Sequence, residues 1–308
     1  MSKTVLLLQG GLSAEREVSL TSGAPVQRAL EASGYRVIPF DPDWDVGAKL
    51  PGALTGVDAV FNALHGKWGE DGNIQGILNF AKVPYTHSGV LASSLAMDKP
   101  LSKLVFAAAG IPIVRDVSVT LETLRAKGDP LPRPFVLKPS QEGSSVGVKI
   151  VMPGDQMDLS GLERYGALMA EEFVAGRELT VAVLQAKNDQ PRALAVTELK
   201  PKTVFYDYEA KYSADAETEH VVNPIDLPQE VTEQLLRWSE AAHSALGCRG
   251  ASRADYRFDP DSGRIAILEV NTQPGLTPLS LLPEQALATG MDFKALVVWM
   301  VENAECDA

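Results

Sequence analysis

The run Thr4-Val5-Leu6-Leu7-Leu8-Gln9, closed by Gly10-Gly11, leaves this chain few ways to begin folding. It is apolar on both faces of the pleat, so both faces must be covered. That demand points to a parallel strand sandwiched between helices, with a glycine turn at its carboxyl end. A polar stretch, LSAEREVSLTSG, follows, and a helix is expected after it to about Ser33, with Pro25 in its first turn. Strands are expected at 35–40 and 57–64. A helix is expected at 73–81, where Ile74, Ile77, Leu78 and Ala81 form one stripe. This alternation over roughly the first 95 residues predicts a small doubly wound α/β domain.

The texture then changes. A helix is expected over 98–111, with Asp98 as N-cap and Pro100 early. Short alternating runs separated by Gly, Pro and Asp follow, an antiparallel pattern. Residues 228–247 read as an amphipathic helix stopped by Gly247, and 283–304 as a closing helix. Between them, GASRADYRFDP and RIAILEVN flank a DPDSG turn and predict a hairpin. Domain boundaries are placed near 96 and 180.

With 308 residues, 45% of them hydrophobic, the chain can build two or three domains. Its net charge of −12 argues against nucleic acid or an anionic membrane as main partner. Cys248 and Cys306 make neither a disulfide framework nor a zinc site, and no His pair has zinc-ligand spacing. The apolar run at the start is too short for a signal sequence, and no segment reaches membrane-spanning length. A reduced, cytoplasmic setting is expected.

The hairpin carries polar residues where an apolar strand is expected. Residues two apart share a strand face, so Arg253 pairs with Asp255, and Glu269 with Asn271. The turn brings Asp255 across from Glu269 or its neighbour. Facing carboxylates in an apolar sheet repel unless a cation lies between them, and oxygen-only ligands suit Mg²⁺ or Mn²⁺. The alternative is a solvent-facing polar stripe; the flanking Ile265, Ile267, Leu268 and Val270 favour a buried site.

Other segments admit both a functional and a plain structural reading. Lys138 ends a strand before the Gly/Ser loop of FVLKPSQEGSSVGVKIV, which suits phosphate but also an ordinary hairpin; it is neither a Walker loop nor a dinucleotide fingerprint. In EEFVAGRE, Glu171 and Glu178 could serve adenine and ribose, or simply end strands. Glu15 stands beyond the first strand, where it could meet a substrate ammonium or merely complement a helix dipole. The loop ALHGKWGEDGNIQG holds His65, Glu70 and Asp71 among glycines. The connection KPKTVFYDYEAKYSAD reads as a lid or an idle loop.

Together and in order, GGLSAEREVSL, ALHGKWGEDGNIQG, MDK, KPSQEGSSVGV, FYDYEAKY and LEVNTQPGLTPLSLLP make the chain resemble the D-alanine–D-alanine ligases of the ATP-grasp superfamily over nearly its whole length. The resemblance implies an α/β (α+β) ATP-grasp fold in three parts: an N-terminal domain over 1–96, a central one over 97–180 and a C-terminal one over 181–308, with a lid at about 200–217. ATP would lie between the last two. Lys99 and Lys138 match phosphate lysines, and Glu142, Ser145 and Lys211 further nucleotide-binding positions. Glu171 and Val174 match the adenine hinge, Glu178 the ribose acceptor. Asp255, Glu269 and Asn271 match ligands of two Mg²⁺ or Mn²⁺.

On the substrate side, Glu15 matches the group that holds the first D-alanine ammonium, in a set with Ser144 and Tyr212 that locks the lid. His65 matches a substrate-side histidine. Arg253 and the Gly275 backbone match the oxyanion donors, and Ser280 and Leu281 the clamp on the second D-alanine carboxylate. The implied reaction passes through an acyl phosphate to D-alanyl-D-alanine for peptidoglycan precursors, in a homodimer. EAKY in the lid favours the dipeptide over D-alanyl-D-lactate. The position of Trp68 is one where the pattern is not fixed. The rivals are another ATP-grasp carboxylate–amine ligase with a different substrate, and a non-catalytic nucleotide-binding module.

Overall fold

In the computed structural model, which describes residues 2–143, 147–200 and 218–307, the opening run forms β1 (Thr4–Leu8), with Val5 to Leu8 fully buried. It lies between β2 (Arg36–Phe40) and β3 (Ala59–Asn62), both parallel to it, with Leu6 level with Ile38 on one side and Val60 on the other. α1 (Arg16–Glu31) starts inside the polar stretch, earlier than expected, and Pro25 lies in its interior rather than its first turn. Val18, Ser22, Val26, Ala29 and Leu30 recur at helical spacing and are buried. That burial offsets the one hydrogen bond that Pro25 cannot donate to the Thr21 carbonyl. The other sheet face is covered by α2 (Val46–Ala53) and α3 (Asn73–Ala81) through Leu50, Ile74 and Leu78.

α4 (Val90–Met97) and α5 (Lys99–Ala108) lead out of this layer. Asp98 caps α5 as expected, accepting from the Leu101 amide at 3.1 Å. Next come β4 (Asp116–Val119), α6 (Leu121–Lys127), β5 (Phe135–Pro139), β6 (Lys149–Val151) and β7 (Leu168–Glu172). The four strands form an antiparallel sheet in the order β4-β7-β5-β6.

A second antiparallel sheet, in the order β10-β9-β8-β11-β12, is built from β8 (Arg177–Gln185), β9 (Arg192–Lys200), β10 (Glu219–Val222), β11 (Gly250–Asp259) and β12 (Arg264–Asn271). The amphipathic α7 (Gln229–Leu246) covers one face through Leu235, Ala242 and Leu246, and stops at Gly247, whose φ of 73° a side chain would oppose. The closing segment is two helices, not the one expected: α8 (Leu281–Ala288) and α9 (Phe293–Glu302). Gly290, at φ 90°, breaks the run, and Asp292 recaps it by accepting from the Ala295 amide at 2.7 Å. This break lets α8 cover the five-stranded sheet while α9 turns back onto β1 and β3, so that Leu282, Leu296, Val5 and Phe61 share one core. No helix among the described residues is long and apolar enough to cross a membrane.

Candidate active site

β11 and β12 pair antiparallel, with Asp255 opposite Glu269 and Arg253 opposite Asn271. The register shifts between Asp255 and Tyr256, so that one strand gains a residue at Leu268. That bulge decides the site. Without it Asp255 would face Leu268, and Glu269 and Asn271 would point to the opposite side of the sheet. With it, the carboxylates and the amide share one face, as the sequence suggested.

Their charges are met locally. Asp255 takes a two-pronged bond from Arg253, Nε and a terminal nitrogen each at 2.8 Å, and a third bond from Thr180 Oγ1 at 2.6 Å. Lys99 Nζ lies 3.3 Å from Glu269 Oε2 and donates to the Glu142 carbonyl at 2.6 Å. Asn271 Oδ1 accepts from the Gln273 amide at 2.7 Å. Among the described residues no three His, Cys, Asp or Glu side chains close into a metal cage. The third oxygen here is an amide, and an Asp/Glu/Asn oxygen set on one face fits a hard cation that keeps water or phosphate in its other positions.

Glu269 stands where two clefts meet. The first, open to solvent, has about 830 Å³ of empty space and is floored by Val136, Val148, Phe173, Val174 and Leu268. Lys138, Glu171, Glu178 and Asp255 add its polar wall. Glu171 is buried between two lysines, with Lys138 Nζ 2.5 Å from Oε2 and Lys103 against Oε1. Burial alone would raise its pKa, but Lys138 and Lys103 more than offset this and hold it below the usual carboxylate value. Glu178 meets Arg257 at 3.2 Å, and Arg257 also donates to the Val174 carbonyl at 3.1 Å and the Gly176 carbonyl at 2.8 Å, which fixes the strand-to-strand corner at this end of the cleft.

The second cleft, also open to solvent, has about 880 Å³ of empty space and shares Lys99, Glu142 and Glu269 with the first. Glu15, His65, Glu70 and Arg253 line one side, and Gly275, Ser280 and Leu281 the other. A Cβ on Gly66 would come within 2.9 Å of Glu15 Oε1, and one on Gly143 within 2.8 Å, so a side chain at either position would displace that carboxylate; Gly66, at φ 68°, also has a backbone that favours glycine. Burial and then the nearby Glu15 push Glu70 up to about 8, so at neutral pH Glu70 carries a proton. His65 is pushed down to about 4 by burial and then by Arg253, and is neutral. Ser280 Oγ lies 2.9 Å from both the Thr277 amide and Thr277 Oγ1.

The structure thus brings Glu15, His65, Lys99, Lys138, Glu142, Glu171, Val174, Glu178, Arg253, Asp255, Glu269, Asn271, Gly275, Ser280 and Leu281 onto these two clefts. Ser144, Ser145, Lys211, Tyr212 and the expected lid lie outside the described residues. Three side chains escaped the sequence reading. Arg257 follows Asp255 by two, so strand periodicity alone places it on the same face. Lys103 follows Lys99 by four on α5, the same helix stripe. Gln273 gave no signal: it is buried, accepts from Asn62 Nδ2 at 2.9 Å and donates to the Leu64 carbonyl, tying the loop after β12 to the first sheet.

Residues 105–302 match the family model described as D-ala D-ala ligase C-terminus, and residues 46–88 that described as D-ala D-ala ligase N-terminus. The chain is 53% identical over 307 residues to the D-alanine–D-alanine ligase of Acidiphilium cryptum, with 99% of each chain covered. The chain belongs to the D-alanine–D-alanine ligase family. Among solved structures it is similar to the D-alanine–D-alanine ligase from Bacillus anthracis complexed with ATP, with a TM-score of 0.79 at 30% identity, covering 98% of this chain and 97% of that one. It is also similar to VanG D-Ala:D-Ser ligase from Enterococcus faecalis, with a TM-score of 0.78 at 26% identity, covering 98% and 99%. Three sheets in this order, with paired clefts beside the last hairpin, are the ATP-grasp fold of D-alanine–D-alanine ligases, as the sequence led one to expect.

Proposed function

We propose that this chain joins two D-alanine molecules into D-alanyl-D-alanine, converting ATP to ADP and phosphate, and so supplies a peptidoglycan precursor. The observation that carries this reading is the meeting of two unlike clefts at Lys99, Glu142 and Glu269. One has an apolar floor with two lysines at its inner end, suited to a nucleotide. The other is polar, with a carboxylate for an ammonium and a guanidinium for a developing oxyanion.

In this reading the adenine rests on Val136, Val174 and Leu268, Glu178 meets the ribose, and Lys99 and Lys138 hold the phosphates. Asp255, Glu269 and Asn271 would hold Mg²⁺ or Mn²⁺, which supplies positive charge that lowers the repulsion between substrate carboxylate and phosphates. Glu15, with Glu70 neutral beside it, binds the first D-alanine ammonium and aims its carboxylate at the joint of the clefts. The γ-phosphoryl group passes to that carboxylate, giving an acyl phosphate and ADP; the protein's part is to position and neutralise. The second D-alanine, held by its carboxylate at Ser280 and the Leu281 amide, attacks the acyl carbon through its amine. Arg253 and the Gly275 amide stabilise the tetrahedral oxyanion, about 3 kcal/mol for one such donor. Collapse expels phosphate and leaves the peptide bond.

Phosphate release by the purified protein with ATP, Mg²⁺ and D-alanine tests this; release with L-alanine but none with D-alanine overturns it. Mass analysis of products from D-alanine mixed with D-serine or D-lactate fixes the second substrate. Glu269→Ala is expected to abolish turnover with circular dichroism unchanged, and retained activity would remove the metal assignment. The three sheets support a division near 96 and a second join just ahead of Arg177, because among the described residues β8 pairs with β9 and β11 of the five-stranded sheet. We further propose a homodimer in the cytoplasm; sedimentation of the purified protein tests the first part.

A further inference from the structure

We infer that Lys103, a lysine behind the nucleotide cleft, is the positioning residue that makes the cleft select an adenine amino group over a 6-oxo purine. This rests on the nucleotide reading above. Lys103 is 1% exposed and does not line the cleft. Its ammonium donates to the Val114 carbonyl at 3.3 Å and is ion-paired with the Glu171 carboxylate and, at 3.8 Å, with Asp116. A buried ammonium without such partners would be severely disfavoured, so this one is committed to its place.

Glu171 has two cationic neighbours of different kinds. Lys138 lines the cleft, where it can move toward an arriving phosphate. Lys103 does not line the cleft and is held in place by Glu171, Asp116 and the Val114 carbonyl. When phosphate draws Lys138 away, Lys103 remains the counter-charge that keeps Glu171 ionised. An ionised carboxylate only accepts hydrogen bonds. It therefore pairs with the 6-amino group of adenine and repels the 6-oxo group of hypoxanthine or guanine. If Lys103 is removed, the buried Glu171 takes up a proton once Lys138 departs. It then becomes a donor that a 6-oxo group can use. Lys103 thus acts through Glu171 and touches no substrate.

The test compares kcat/KM for ATP and for ITP in the full-length enzyme with D-alanine and Mg²⁺. Lys103→Met is expected to lower the ATP-over-ITP ratio by at least about tenfold, since discrimination at a built hydrogen-bonding site is large. Glu171→Gln, whose amide can turn to donate or accept, is expected to lower the ratio similarly. The double variant Lys103→Met/Glu171→Gln, free of the stranded buried charge, should match Glu171→Gln alone. It also serves if Lys103→Met does not fold, because a further drop beyond Glu171→Gln would refute the coupling. If Glu171→Gln relaxes the ratio and Lys103→Met leaves it at the wild-type value, the inference about Lys103 falls while the nucleotide reading stands. If Glu171→Gln also leaves it unchanged, the placing of adenine at Glu171 falls with it.

Discussion

The Ser280 hydroxyl is held from two sides. The Thr277 amide donates to it, and the Thr277 hydroxyl shares a proton with it, both at 2.9 Å. A Cβ on Gly275 would lie 2.8 Å from the same oxygen, so the backbone closes the third side. A serine fixed in this way presents one geometry to an incoming carboxylate, with rotamer entropy already lost before binding. Thr277→Val keeps the shape and removes one hydrogen bond, a change of about 1 kcal/mol. The KM for the second D-alanine should rise several-fold while the KM for ATP stays put, and Thr277→Ser should restore it. Steady-state kinetics decide: equal changes in both constants would mean that Thr277 serves the fold and not the site.

At the scale of elements, most functional side chains sit where one element hands over to the next. Lys99 is the first residue of α5, Glu15 the N-cap of α1, and Leu281 the first residue of α8. The cap that orients Lys99 is Asp98, which also accepts from Gln141 Nε2 at 2.7 Å and so ties α5 to the loop ahead of residues 144–146. Asp98→Ala should cost about 1 kcal/mol of stability. It should also raise the KM for ATP, because Lys99 leaves its place above Glu269. Thermal melts and ATP titrations read the two effects separately, and a lower melting temperature with unchanged KM would reject the link. Periodicity exposed these elements unevenly. Ile74, Ile77 and Leu78 announced α3 to the residue, and the Gly247 stop announced the end of α7. α1 was masked because Ser19 and Ser22, polar by type, are wholly buried. The break at Gly290 was hidden in a pattern that stays apolar on both sides of it. The bulge at Leu268 is a matter of pairing between strands, which one strand's sequence does not contain. Asp255, Glu269 and Asn271, by contrast, stood out as polar residues in an otherwise apolar hairpin, and the structure places them on the two clefts.

Across the whole molecule, the layers are bound by polar groups that must stay uncharged. His243 is buried on α7 between Ser252 Oγ at 2.7 Å and Gln185 Oε1 at 3.0 Å, linking helix to sheet. His87 is buried against Phe61 with ring centroids 6.2 Å apart, and a Cβ on Gly250 of β11 would lie 3.4 Å from its backbone. Burial pushes His243 down to about 4 and His87 to about 3, and it is likewise the main cause that takes His65 to about 4. In the unfolded chain each titrates near 6.5. Between those values the unfolded chain takes up protons that the folded one refuses, so stability is fully present above about 6.5 and falls as pH drops. Each histidine costs roughly 2 kcal/mol between pH 6.5 and 5. Glu70 works the other way: raised to about 8, it binds a proton in the folded state that the unfolded chain lacks above its ordinary carboxylate value, and so adds stability as pH falls through the same window. Three histidines outweigh one glutamic acid, and the net loss is on the order of 4 kcal/mol. Urea unfolding at pH 7, 6 and 5 should therefore show a falling midpoint, and Glu70→Gln should steepen the fall by removing the opposing group. A midpoint that rose toward pH 5, or a Glu70→Gln profile shallower than the wild type, would mean that these side chains do not keep their protonation states in the folded enzyme.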